Sequence, residues 1–227
     1  MFIVSVINTK GGVGKTTLSI LIASQLSNGG KDVRLIDLDP EGETSGALAF
    51  SKRARARMVI DGPRPPDKGF FPAWDIVGAQ DSLRSAVEAL GDAYAVVVDS
   101  KPSSGDEERI ATACAELVVV PCVPGPAEAA ATARIIERAQ RMQSSRGDGY
   151  PQVAIAPTRW RKRSKVADRT FEELSGLGVS VLPVVHDRAI FPEAFAQGKI
   201  ASMGRSAAAI EVQRQIYSAL ELIKGVL

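Results

Sequence analysis

The apolar run FIVSVIN (2–8) passes directly into TKGGVGKTT (9–17), and the stretch that begins GKTTLSILIASQL reads as a helix. A strand, a glycine-rich turn and a helix N-terminus in that order make a cradle for phosphate. Successive backbone N–H groups and the positive end of the helix point at the anion, and glycine lets the backbone approach it closely. The usual phosphate-loop pattern is G-x-x-x-x-G-K-[ST]. Gly14, Lys15 and Thr16 satisfy its end, but Thr9 stands at its first glycine position. What survives is K-G-G-x-G-K-T, with an additional lysine, Lys10, just after the strand. The candidate nucleotide contacts are Gly11, Gly12, Val13, Gly14, Lys15, Thr16 and Thr17. Among them Lys15 is expected to reach the β- and γ-phosphates and the Thr16 hydroxyl to ligate Mg2+.

The rest of the chain alternates short apolar runs with longer helical patterns. Segments 2–8, 32–38, 93–100, 116–122 and 152–158 are rich in Val and Ile without clean alternation, as in parallel strands covered on both faces. VSVLPVV (179–185) predicts a further strand and AWDIVGA (73–79) a weaker one. Helical patterns occupy 15–28, 80–90, 106–115, 126–143, 165–176 and 206–225. Strands alternating with helices imply βαβ units, and so an α/β fold: a doubly wound, mostly parallel sheet with helices on both faces, of the P-loop NTPase type. Residues 51–72, rich in Pro, Gly and basic side chains, read as a loop or excursion between sheet elements. At 227 residues a single domain over 1–227 is expected.

Two strand ends carry carboxylates. RLIDLDP places Asp37 and Asp39 at the C-terminal end of the second strand, and VVVDS places Asp99 at the end of another. An isolated Asp after a strand often caps the next helix. Three beside a phosphate loop are better explained by Mg2+ and an attacking water. The residues therefore point to ATP hydrolysis with ATP and Mg2+.

Composition mainly excludes. The formal charge of +2 is too small to indicate a partner. No stretch approaches the ~20 apolar residues of a membrane span. The first residues lack a basic n-region and a cleavage site, so a cytoplasmic protein is expected. His186 is the only histidine, which leaves little material for histidine metal sites or a Ser-His-Asp triad. Cys114 and Cys122, the only cysteines, form no C-x-x-C and are read as reduced thiols.

These motifs together resemble the ParA/MinD family of deviant Walker A ATPases, most closely its small ParA-type partition members. KGGVGKTT resembles the deviant Walker A motif, LIDLDP the Walker A′ segment and AYAVVVDSKPS the Walker B strand. LVVVPCVPGPAEAAATARIIE resembles the family's DLVIIPVxPSxxD stretch, and RAIFPEAFAQGKIA its late arginine-plus-helix segment. The resemblance implies an ATP-dependent homodimer in which Lys10 crosses to the phosphates held by the partner subunit. It implies Lys10, Lys15 and Asp39 as catalytic residues, with Asp39 positioning water, and Thr16, Asp37 and Asp99 around Mg2+. Nothing in the residues themselves separates the roles of Asp37 and Asp39. Two departures stand out: DPEGE, with Glu41 and Glu43, where the family often has DPQGN, and Lys101 in place of a proline after the Walker B strand. Lys101 reads equally as a structural substitution or as a second cation near the γ-phosphate.

The resemblance further implies binding of non-specific DNA, a nucleoid-associated location and a cargo-bound activator such as a centromere-binding protein. TRWRKRSK (158–165) is the densest basic cluster, and Arg159, Arg161, Lys162, Arg163 and Lys165 are its candidate DNA contacts. A solvated loop and a nucleotide contact are the competing readings. Arg188, Lys199 and Arg205 lie where related proteins carry DNA-binding residues, and KRARAR (52–57) is a second basic run. Trp160 is expected to be partly buried. The last residues, YSALELIKGVL, carry too few basic side chains for a membrane-surface helix, so no membrane partner is expected. The first strand begins at residue 2, so no preceding helix-turn-helix domain is expected. The rival readings are a MinD-like membrane-associated regulator, a metabolic ATP-dependent enzyme such as a ligase, and a module that holds ATP but hydrolyses it weakly.

Overall fold

The computed structural model describes residues 1–26, 33–38, 58–59, 93–100 and 106–196, and the structural statements below concern these. In chain order they form β1 (Phe2–Val6), α1 (Lys15–Leu26), β2 (Val33–Asp37), β3 (Met58–Val59), β4 (Ala95–Asp99) and α2 (Asp106–Cys114). There follow β5 (Leu117–Cys122), α3 (Pro126–Arg146), β6 (Gln152–Pro157), α4 (Lys165–Ser175), β7 (Ser180–Val181) and α5 (Ile190–Ala196). The strands make one sheet in the order β3-β2-β4-β1-β5-β6-β7, and every pairing is parallel.

The continuous apolar runs explain this architecture, because each central strand is covered twice. In β4, Ala95 and Val97 pack on the same side as Leu18, Leu21 and Ile22 of α1. Val96 and Val98 pack on the other, with Ile110 of α2 and Ile135 and Ile136 of α3. Helix α1 is apolar around most of its circumference and buried, with Ile20 and Ala23 wholly enclosed. Even polar Ser5 in β1 is buried, and its hydroxyl donates to the Ala111 carbonyl of α2 at 2.7 Å.

Expectation and structure differ in three places. The segment 51–72, read as a loop, contains a strand: Met58–Val59 pairs in parallel with Val33 and Arg34. The expected strand 179–185 shrinks to Ser180–Val181, since Pro183 has no N–H to give to the ladder. Its extended course still bonds to β6 on both sides of the proline, Leu182 N–H to the Ile155 carbonyl and Val185 N–H to that of Pro157, both at 2.8 Å. Helix α3 runs past residue 143 to Arg146, where Gly147 turns it off at φ +72° and bonds back to the Gln143 carbonyl. The expected elements at 73–79, 80–90 and 206–225 lie outside the described residues.

The chain order turns at β1, which has β4 on one side and β5 on the other. In open parallel sheets the crevice at such a turning point, at the C-terminal ends of the strands, is where ligands bind. The loop after β1 opens there.

Candidate nucleotide site

Residues 8–14 link β1 to α1 and are held by side chains from distant strands. Asn8, at the end of β1, donates through Nδ2 to the Pro121 carbonyl of β5 at 2.7 Å. Its Oδ1 accepts from the Lys10 N–H at 2.9 Å, which sets the turn. Gly12 and Gly14 have φ of +72° and +91°, the left-handed region that side chains disfavour. From across the sheet, the Thr158 hydroxyl donates to the Val13 carbonyl at 2.8 Å. Helix α1 then begins without an acidic side chain in its first turn, so its positive end is left for an anion.

Lys15 is buried at 6 % exposure, and its Nζ reaches back to the Lys10 carbonyl at 2.9 Å. This holds an ammonium inside the loop. Thr16 and Thr17 are half-buried in the first turn of α1. Asp99 is buried, and one of its carboxylate oxygens accepts from the Ser19 hydroxyl of α1 at 3.0 Å. Asp37 and Asp99 are register partners at the ends of β2 and β4, which puts two aspartates side by side at the C-terminal edge. Asp39 lies outside the described residues. Among the described residues no cluster of His, Cys, Asp and Glu would hold a metal by itself. The oxygen donors present, the Thr16 hydroxyl and the strand-end aspartates, suit Mg2+, which typically takes one or two carboxylates and keeps phosphate and water for the rest.

Lys10 has a partner that the sequence reading missed. Its Nζ pairs with Glu128 of α3 at 2.8 Å, with the two side chains 37 % and 27 % exposed. The lysine holds the Glu128 carboxyl below its usual range, chiefly through this hydrogen bond. Their separation of 118 positions along the chain leaves no local signal for the pairing.

Arg159, Arg161, Lys162 and Arg163 are exposed in the loop between β6 and α4, and Lys165 is exposed at the first position of α4. Arg159 and Arg163 adopt positive φ of 53° and 61°. Trp160 between them is 5 % exposed and packs edge-to-face against Phe171, so its ring serves the core. Its backbone bridges to His186, and the Asp187 N–H donates to its carbonyl at 2.9 Å. Arg161 pairs with Asp187 at 3.1 Å. Arg188 is half-buried beside this clasp, and among the described residues its buried Nε has no hydrogen-bond partner. Lys199, Arg205 and the 52–57 run lie outside the described residues. Cys122 is buried and Cys114 half-buried, neither in a disulfide, and burial pushes the Cys122 thiol up.

A parallel sheet that turns at β1, with a lysine-bearing glycine loop entering a helix at the turning point, defines a nucleotide-binding α/β domain of the P-loop class. The family match is more specific: the CobQ/CobB/MinD/ParA nucleotide binding domain family matches residues 4–201, and the chain belongs to that family. The chromosome-partitioning ATPase Soj of Thermus thermophilus is 39 % identical over 132 residues, 52 % of this chain and 53 % of Soj. That match therefore spans about half the length of the relative. The maintenance of carboxysome distribution protein A of Halothiobacillus neapolitanus is 28 % identical over 91 % of both chains. Apo McdA of Cyanothece shares the fold, with a TM-score of 0.78 at 15 % identity over 98 % of this chain and 99 % of McdA. Among the described residues, no helix is long and apolar enough to cross a membrane.

Proposed function

We propose that this chain is a ParA-like ATPase of one nucleotide-binding domain, in which ATP closes a sandwich homodimer that binds non-specific DNA and positions a cargo. The observation that carries this reading is the loop itself, a buried Lys15 aimed into a glycine cradle with a second lysine, Lys10, beside it. Lys15 and the loop N–H groups from Gly11 to Thr17 hold the phosphates. Thr16, Asp37 and Asp99 would hold Mg2+, which would supply neutralisation of the phosphate charge. Asp39 orients the attacking water. Lys10 reaches the partner subunit's nucleotide, so that charge stabilisation at the reacting phosphate depends on dimerisation.

The exposed cations Arg159, Arg161, Lys162 and Arg163 of the β6–α4 loop and Lys165 at the start of α4, with Arg188, Lys199 and Arg205, supply phosphate contacts without reading sequence. The protein then works in the cytoplasm on the nucleoid, and a cargo-bound activator triggers hydrolysis and release. Members named for chromosomes and for carboxysomes support cargo positioning as the common task and leave the cargo open.

The test is binding of non-specific duplex DNA as a function of salt, with ATP, ADP or no nucleotide, for wild type and Lys10→Ala. Expected is ATP-dependent binding whose log affinity falls linearly with log salt, lost or uncoupled from dimerisation in Lys10→Ala. ATP binding without DNA binding under any of these conditions overturns the reading and directs attention to membranes and small substrates.

A further inference from the structure

Glu128 occupies the third helical position of α3, after Gly125 at the N-cap and Pro126 at the first position. A glutamate there ordinarily reaches back to the N-cap N–H and completes a reciprocal cap. Here that N–H is already taken, because Gly125 donates to the Thr170 hydroxyl of α4 at 3.0 Å. Thr170 is buried, and its hydroxyl in turn donates to the Val166 carbonyl at 2.7 Å, so the acceptor is fixed in place. The Glu128 carboxylate is thereby left without the N-cap N–H and pairs with Lys10.

Gly125 makes a second contribution. Its φ of +155° belongs to a region essentially restricted to glycine, and a Cβ added there would strike the Glu128 carboxylate. A backbone without a side chain and a hydroxyl on a neighbouring helix thus together aim one carboxylate at one lysine of the phosphate loop. An isolated surface pair would need neither.

We propose that Glu128 is a positioning residue that holds Lys10 in a resting place and competes with nucleotide phosphate for it, with Gly125 and Thr170 keeping the carboxylate free to do so. The proposal rests on the reading of Lys10 as a phosphate-directed lysine. In the resting protein the ammonium is neutralised within its own chain. Reaching a phosphate requires breaking a charged contact, which raises the ATP concentration at which the lysine is recruited. A half-exposed pair of this kind shifts such an equilibrium by about two- to fivefold.

The test compares wild type, Glu128→Gln and Thr170→Val in the full chain. The first readout is the rate of trace acetylation of Lys10 by acetic anhydride without nucleotide, followed by mass spectrometry. The second is the half-saturating ATP concentration for dimer formation by light scattering. In Glu128→Gln, Lys10 acetylation rises about two- to fivefold and the ATP midpoint falls by a similar factor. The fall disappears when the same change is made in Lys10→Ala. Thr170→Val moves both readouts in the same direction; if it is too unstable to assay, Glu128→Gln decides alone.

Unchanged Lys10 reactivity in Glu128→Gln overturns the proposal. So does increased reactivity with an unmoved ATP midpoint, or a midpoint shift that survives in Lys10→Ala. If wild type forms no ATP-dependent dimer, the dimer reading fails on its own account. The competition is then read from equilibrium ATP affinity, which must tighten in Glu128→Gln or the proposal falls.

Discussion

At Gly12 and Gly14 the backbone passes through φ of +72° and +91°, and these angles turn successive N–H groups into one concavity. Gly14→Ala forces a side chain into the left-handed region at a cost of about 1–2 kcal/mol. The loop is expected to relax away from that angle, weakening ATP binding at least about tenfold in equilibrium titration with a fluorescent analogue. Arg159 and Arg163 bear the same kind of strain, at φ of 53° and 61°, without glycine's freedom. For Arg163→Gly, two effects of opposite sign are expected. Chemical denaturation should show a gain of about 1 kcal/mol in stability, while the slope of log DNA affinity against log salt shrinks by about one unit. Loss of stability, or an unchanged slope, would mean that the arginine is kept for the fold rather than for a polyanion.

The Lys10–Glu128 pair also has a pH signature. Because the Glu128 carboxyl is lowered by Lys10, its contribution to stability is fully present above the ordinary carboxylate value of about 4.3 and is lost as pH falls through the lowered value. Partial exposure limits the contribution to roughly 0.2–1 kcal/mol. The stability difference between wild type and Glu128→Gln should therefore be flat at neutral pH and vanish in acid below that value.

Among the elements, α2 is held to α3 by two arginines of α3: Arg138, which pairs with Glu108 at 2.8 Å, and Arg146 at the helix end. Arg146, in the last turn of α3, donates through Nη1 to the Ala113 and Ala115 carbonyls at 2.8 and 2.7 Å and holds Asp148 with Nη2 at 2.8 Å. The final carbonyls of a helix have no partner within it, so this guanidinium caps α2 from outside. Arg146→Ala should lower stability by about 2 kcal/mol in urea titration. Arg146→Lys should rescue only part of that, since an ammonium cannot reproduce the planar fork. At this scale the sequence was readable wherever burial was two-sided. Strands β4 and β5 announce themselves as AVVVD and LVVVPC because both faces need apolar side chains. Strand β3 was not readable: two residues at a sheet edge, inside a basic, proline-rich stretch, have no periodicity to display. Arg146 was equally hidden, since its two acceptors lie 31 and 33 residues away.

For the whole molecule, the sheet order decides which loops meet. Because β1 lies between β4 and β5, with β6 next to β5, the loop after β1 meets Ser19–Asp99 on one side and Thr158 and Glu128 on the other. A ligand that enters this junction stabilises every element around it. ATP with Mg2+ at one hundred times its dissociation constant should add about 2.7 kcal/mol, which for a chain of this size raises the thermal midpoint by roughly 5–10 °C. Lys15→Ala should abolish the shift in a thermal melt. An equal shift in that variant would place the nucleotide elsewhere. The phosphate loop, its two lysines and the carboxylate-ended strands were determined by the sequence alone, because each is a local pattern in which neighbouring residues carry the whole chemical requirement. The resting partner of Lys10, the Thr158 anchor of the loop and the Thr170 grip on Gly125 were decided only by the tertiary structure. These contacts span 118, 145 and 45 residues, and they exist because parallel crossovers bring the C-terminal ends of distant strands to one edge.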